Sequence, residues 1–339
     1  MSANDRIALD VPGGDRAPDA TLDGALLACA PEGLASEGVS LDPARILLVG
    51  DEGEIARALE ARGGNPGFAI LHAPEAIPMG ASPAQALRSM PQASIPQMIG
   101  AIAKGEAGAA VSMGNTGAVV GAATMGLKTL AGVRRPGIAV TLALTGQPVT
   151  FLDMGANVVP KPEHLVQYGA MGSTYMRDVL GVSEPRVGLL NVGEEKGKGT
   201  PLLKETQPLM ETAGYNFVGN VEGGDLFRGV ADVVVMDGFT GNVILKLMEQ
   251  FSGLIMGMML KALDAHDTQA WSGEAMGEIK SAIDYSSYGG ALLLGVRGVV
   301  VIGHGRSDKK AVANALGQAA RALDSRVNEH IEQGLATST

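Results

Sequence analysis

Four polar, glycine-bearing turns carry the residues with which this chain could do chemistry. Gly114-Asn115-Thr116-Gly117 follows a β-branched run and opens a helix-like stretch. Backbone N–H groups at a helix amino terminus favour anions, and Asn115 and Thr116 add side-chain donors. The plainer alternative is an ordinary capped strand-to-helix turn. Asp153-Met154-Gly155-Ala156-Asn157 is followed closely by Lys161 and His164. Lys161 could neutralise a phosphate, and His164 could hydrogen-bond or move a proton, although a lone histidine here also reads as a satisfied residue at a helix start. Asn191-Val192-Gly193-Glu194-Glu195-Lys196-Gly197-Lys198-Gly199 gathers charge on a turn, or is simply a solvated loop. Asp237-Gly238-Phe239-Thr240-Gly241-Asn242 joins an apolar run to a helix, with Lys246 one turn later.

The elements that must position these turns repeat one pattern: a short apolar run, then glycine, asparagine or aspartate, then a helix-like stretch. The runs are 7–9, 46–49, 109–111, 149–152, 187–190, 233–235 and 299–302. Strands alternating with helices predict an α/β fold with a largely parallel sheet and helices on both faces. In such sheets the ligand crevice lies beyond the carboxyl ends of the strands, which is where the polar turns fall. The proline-rich stretch 74–96 predicts irregular structure around a short helix near 84–89. A long helix is expected over 243–263 and another over 275–283, the first with apolar residues at helical spacing (Phe251, Leu254, Ile255, Met258, Met259, Leu263). That surface reads as a core or dimer-interface helix, or as a methionine-rich face for membrane or partner contact. No linker divides the chain, so a single domain over 1–335 is expected.

Composition excludes several classes. With 46% hydrophobic and 18% charged residues the chain is a folded globule, and a formal charge of -10 disfavours nucleic acid as a partner. Cys29 is alone, so no internal disulfide is available, and the polar amino end lacks a signal-peptide layout. A cytoplasmic enzyme is the expectation. Gly193–Lys198 has three residues between its glycines where a P-loop needs four, and G-x-G-x-x-G, HExxH and G-x-S-x-G are all absent.

Taken together the turns resemble the acyl-carrier-protein-dependent phosphate acyltransferase family (the PlsX family). The resemblance rests on Ser112-Met113-Gly114-Asn115-Thr116-Gly117, the 153–157 turn, Lys161-Pro162-Glu163-His164, and Gly188 through Glu195 with Lys198-Gly199. It continues in Asn220-Val221-Glu222-Gly223, the 237–242 turn, Tyr285-Ser286-Ser287-Tyr288-Gly289-Gly290 and His304-Gly305-Arg306-Ser307-Asp308. It implies transfer of a long-chain acyl group from acyl carrier protein to inorganic phosphate, giving acyl phosphate for phospholipid synthesis. A membrane glycerol-3-phosphate acyltransferase then consumes that product. It further implies no cofactor, and a three-layer α/β/α fold like that of isopropylmalate dehydrogenase and phosphotransacetylase. A homodimer and a helical hairpin at 243–283 for dimer or peripheral membrane contact, at the inner face of the cell membrane, complete the picture.

Phosphate is already a nucleophile at neutral pH, so the enzyme must hold it near a thioester carbonyl and stabilise the oxyanion. On that reading Asn115, Lys161, His164 and Asp237 act on the reaction. Gly114, Thr116, Gly117, Asp153, Asn157, Asn191, Glu194, Lys198, Thr240, Asn242 and Lys246 surround the substrate. The chain departs from the family at Pro12, in the lysine-poor stretch 88–94, and at Gly224 where arginine is usual. These losses of N–H and charge motivate one alternative, a catalytically weak relative that binds carrier protein; a phosphotransacylase using short acyl-coenzyme A, set apart by its chain-length preference, is the other.

Overall fold

The structure is a computed structural model that describes residues 3–30, 40–142, 146–265 and 289–337. The expected second arm of the hairpin at 275–283, and the 285–288 part of its neighbouring motif, lie outside the described residues. The chain forms two compact units, unit 1 from the described residues up to Pro136 and from 289 onward, and unit 2 from Gly137 to 265.

Unit 1 carries strands β1 (Ile7–Asp10), β2 (Ile46–Gly50), β3 (Ala69–His72), β4 (Ala109–Ser112), β10 (Ala291–Leu294) and β11 (Val299–Ile302), in the order β3-β2-β1-β4-β11-β10. The first five are parallel, with Ile7 paired to both Ile46 and Ala109, and Val299 to Ala109; β10 runs antiparallel to β11. Every residue of β1, β2, β4 and β11 is buried. Successive side chains of a strand point to opposite faces, so both faces of this sheet are covered. Helix α4 (Ser94–Ala103) packs on β1, β2 and β4, and α9 (Lys309–Asp324) packs on β4 and β11 and against α1 (Asp19–Ala28). The remaining helices are α2 (Glu52–Glu60), α3 (Pro83–Ser89), α5 (Thr116–Leu127) and the terminal α10 (Val327–Thr337).

Unit 2 carries β5 (Gly137–Leu142), β6 (Val149–Leu152), β7 (Val187–Leu190), β8 (Phe217–Val221) and β9 (Val233–Val235), in the order β5-β6-β9-β7-β8. All but β5 are parallel. Helix α6 (Pro162–Asp178) covers β6 and β9 with the fully buried Tyr168 and Met171, and α7 (Pro201–Met210) packs on α6 and β8. Helix α8 (Gly238–Ala265) follows β9. No helix among the described residues is long and apolar enough to cross a membrane.

Candidate active site

In unit 1 the polar turns meet where the chain reverses its progress across the sheet. β1 lies between β2 and β4, so the carboxyl ends of β1 and β4 flank a topological switch point. Asn115 is the N-cap of α5: its Oδ1 accepts the Ala118 N–H at 3.0 Å. Its Nδ2 donates to the carbonyls of Met79 and Ala81 at 2.9 and 3.0 Å. All of its donor hydrogens are therefore engaged, and the residue is buried. Those three bonds shape the turn. Thr116 and Gly117, the first two residues of the helix, are exposed, and the cap supplies no partner for their backbone N–H groups. Before them, Gly114 donates its N–H to Ser112 Oγ at 3.0 Å, and Ser112 Oγ donates to Asp10 Oδ2 at 2.6 Å.

In unit 2 the loops after β6, β9 and β7 leave neighbouring parallel strands at the same edge. Asp153 has no exposed surface. Its Oδ1 accepts the backbone N–H groups of Ile138, Gly155 and Ala156 at 3.0, 3.0 and 2.8 Å, and its Oδ2 that of Asn157 at 2.7 Å. Burial pushes its carboxyl above the usual carboxylate range, and the four N–H groups oppose that push. Asp153 is thus the organiser of its own loop. Asn157 donates to the Tyr168 hydroxyl at 2.7 Å, which anchors the loop to α6.

The head of α8 lies directly on that loop. A Cβ at Gly238 would sit 2.6 Å from the Asn157 carbonyl oxygen, and one at Gly241 would overlap the Asp153 carbonyl. Asp237 accepts from the Thr240 N–H at 2.9 Å and from its hydroxyl at 2.7 Å. The Asp237 carboxylate, with the Thr240 hydroxyl proton, is engaged at the start of α8. Asn242 and Lys246 are exposed on the first turns of α8.

Lys161 is exposed just before α6. Its N–H donates to His164 Nδ1 at 3.1 Å, which makes Nδ1 an acceptor and places the ring proton on Nε2. His164 is buried, so any proton it handles passes through Nε2. After β7, Asn191 is turned inward, donating to the Lys198 carbonyl at 3.2 Å and accepting the Val192 N–H at 2.8 Å. It fixes the loop that displays Glu194 and Lys198, both exposed; Lys198 lies 4.0 Å from Glu195. Asn220 supports the same loop by donating to the Glu195 carbonyl at 3.2 Å.

The structure therefore separates the expected residues into two kinds. Thr116, Gly117, Lys161, Lys198, Asn242 and Lys246 face outward from strand-end loops. Asn115, Asp153, Asn191, Asp237 and Thr240 hold those loops in shape, with Gly114 pinned through Ser112. Three participants were missed: Asp10, Ser112 and Tyr168. Ser112 stands two residues before Gly114, but no spacing rule links it to a residue on β1.

The family model described as fatty acid synthesis protein matches residues 5–330. A phosphate acyltransferase of Bacillus subtilis is 42% identical over 335 residues, covering 97% of each chain. One of Pelotomaculum thermopropionicum is 41% identical over 338 residues, covering 97% of this chain and 95% of that one. Among solved structures, a phosphotransacetylase from Streptococcus pyogenes superposes with a TM-score of 0.63 at 14% identity, over 96% of this chain and 95% of that one. That likeness shows the shared fold, and the sequence match shows the lineage. The chain belongs to the fatty acid synthesis protein family, the phosphate acyltransferase family that its motifs resemble.

Proposed function

We propose that this chain is an enzyme that transfers a long-chain acyl group from acyl carrier protein to inorganic phosphate, giving acyl phosphate for phospholipid synthesis. The observation that carries the reading is the turn at Gly114–Gly117. Its asparagine caps the helix through Oδ1 and holds the Met79 and Ala81 carbonyls through Nδ2, and the cap leaves the Thr116 and Gly117 N–H groups at the head of a twelve-residue helix without a partner from it. The exposed cations Lys161 and Lys198 at strand ends of unit 2 fit the same anionic chemistry. In the step itself a phosphate oxygen forms a bond to the thioester carbonyl carbon, the C–S bond breaks, and the proton of hydrogen phosphate passes to the departing thiolate. Donors fixed in advance stabilise the tetrahedral oxyanion without reorganisation.

Palmitoyl acyl carrier protein and phosphate, with hydroxylamine to trap acyl phosphate, test the proposal. Phosphate-dependent hydroxamate and free carrier-protein thiol are expected together. Turnover only with acyl-coenzyme A would move the assignment to the second enzyme reading. Tight carrier-protein binding without turnover would make the chain a binding relative.

The reading includes a homodimer through α8. Phe239, Val243, Leu247, Phe251, Leu254 and Met258 follow one another at helical spacing, and each is more than half exposed. A stripe of this kind on a long helix suits a partner face. Phe251→Glu is expected to shift the light-scattering mass from dimer to monomer at micromolar concentration; a monomeric wild type would remove the dimer. A variant that stays dimeric but no longer sediments with anionic vesicles would favour peripheral membrane contact instead.

A further inference from the structure

Asp10 closes β1 beneath the anion turn and is 1% exposed. Its Oδ2 accepts the Ser112 hydroxyl at 2.6 Å, while its Oδ1 is buried without a hydrogen-bond partner. The space around it is close: a Cβ at Gly13 would overlap Oδ2, and one at Gly114 would lie 3.1 Å from it. Ser112 in turn accepts the Gly114 N–H, so one unbroken chain of hydrogen bonds links the carboxyl to the first residue of the turn. We propose that Asp10 is a positioning residue for the Gly114–Gly117 turn, acting through Ser112.

The surroundings decide its charge state. An ionised carboxylate with one orphaned oxygen in a dry site is costly unless a cation or several donors meet it. Ser112 on β4 and Ser94 at the start of α4 are the hydroxyls that bear on it, and no charged side chain among the described residues does. β2 presents only apolar residues and a glycine on its other side. The titratable groups of the adjoining loops and of the α9 start (Asp15, Arg16, Arg306, Asp308, Lys309 and Lys310) are exposed, and His304 is partly so. Burial therefore pushes the Asp10 carboxyl above the usual carboxylate range against the pull of the two hydroxyls, and the dry site favours its uncharged form. This role rests on the proposed reaction only in so far as the turn binds phosphate; the charge state stands apart from it.

Two measurements separate these parts. A neutral buried acid holds a proton that the unfolded chain releases above about pH 4, so wild-type stability falls relative to an uncharged isostere as pH rises. Asp10→Asn is expected to melt with wild type near pH 4 and to gain on it steadily toward pH 8. An Asn variant that melts below wild type at pH 7 to 8 would overturn the assignment. In turnover, Ser112→Ala and Asp10→Leu are expected to raise the KM for phosphate about tenfold with a smaller change in kcat, while Asp10→Asn stays within about twofold. An unchanged phosphate KM in both Ser112→Ala and Asp10→Leu would sink the positioning role. A wild type that turns over no phosphate would sink the proposed reaction, and the melting comparison would still decide Asp10.

Discussion

Lys161→Ala is expected to lower kcat/KM roughly a hundredfold or more while leaving the melting temperature near that of wild type, on the scale seen when a preorganised charge at a developing anion is removed. The separation of effects follows from the site. Lys161 is exposed and forms no ion pair with the described residues, so deleting its side chain opens no cavity and strands no charge. Its backbone still donates to His164 Nδ1, and the start of α6 is preserved. Lys161→Arg keeps the charge on a different fork and is expected to recover part of the rate. A large rise in phosphate KM with little change in kcat would place the ammonium on the bound ground state. A fall in kcat alone would place it on the oxyanion. Wild-type kinetics in Lys161→Ala would remove it from the site.

The seven runs read as strands from the sequence are all present, and within each unit they are mutually parallel. They were legible because each is a buried strand leading through a polar turn into a helix. The four strands that escaped lack that signature. β5 and β10 run antiparallel to their neighbours and are not followed by a glycine turn and helix. β3 and β8 end the strand orders of their units and are only partly buried; Gly219 and Asn220 break the apolar run of β8, and the run into β3 leads to a proline-rich stretch instead of a glycine turn and helix. The short helix expected at 84–89 is α3, and the long one at 243–263 is α8, which begins five residues earlier because Asp237 caps it.

The site was legible as a set of loops and much less so as a set of roles. Asparagine and aspartate suit both ligand contact and capping, and spacing cannot tell the two apart. The structure decides by partner: Asn115 spends its hydrogens on Met79 and Ala81, carbonyls more than thirty residues earlier in the chain. The link from Asp10 to Ser112 spans 102 positions and arises only because β1 and β4 are neighbours.

The second large effect is structural. Asp153→Ala is expected to cost about 4 kcal/mol or more, or to prevent folding, because it leaves four backbone N–H groups without their acceptor, each worth about 1–3 kcal/mol when buried and unsatisfied. Asp153→Asn retains an oxygen for the three N–H groups now on Oδ1, but sets an amide donor against the Asn157 N–H at 2.7 Å, so an intermediate loss is expected. Urea denaturation at neutral pH reads the difference; an alanine variant as stable as wild type would show that the loop finds other acceptors. The consequence reaches the chemistry. The Asp153 loop carries Asn157 onto Tyr168 and supports the head of α8 at Gly238 and Gly241. A variant that folds should therefore lose turnover through displaced Lys161, Asn242 and Lys246, the fully buried Asp153 acting through the loop it holds.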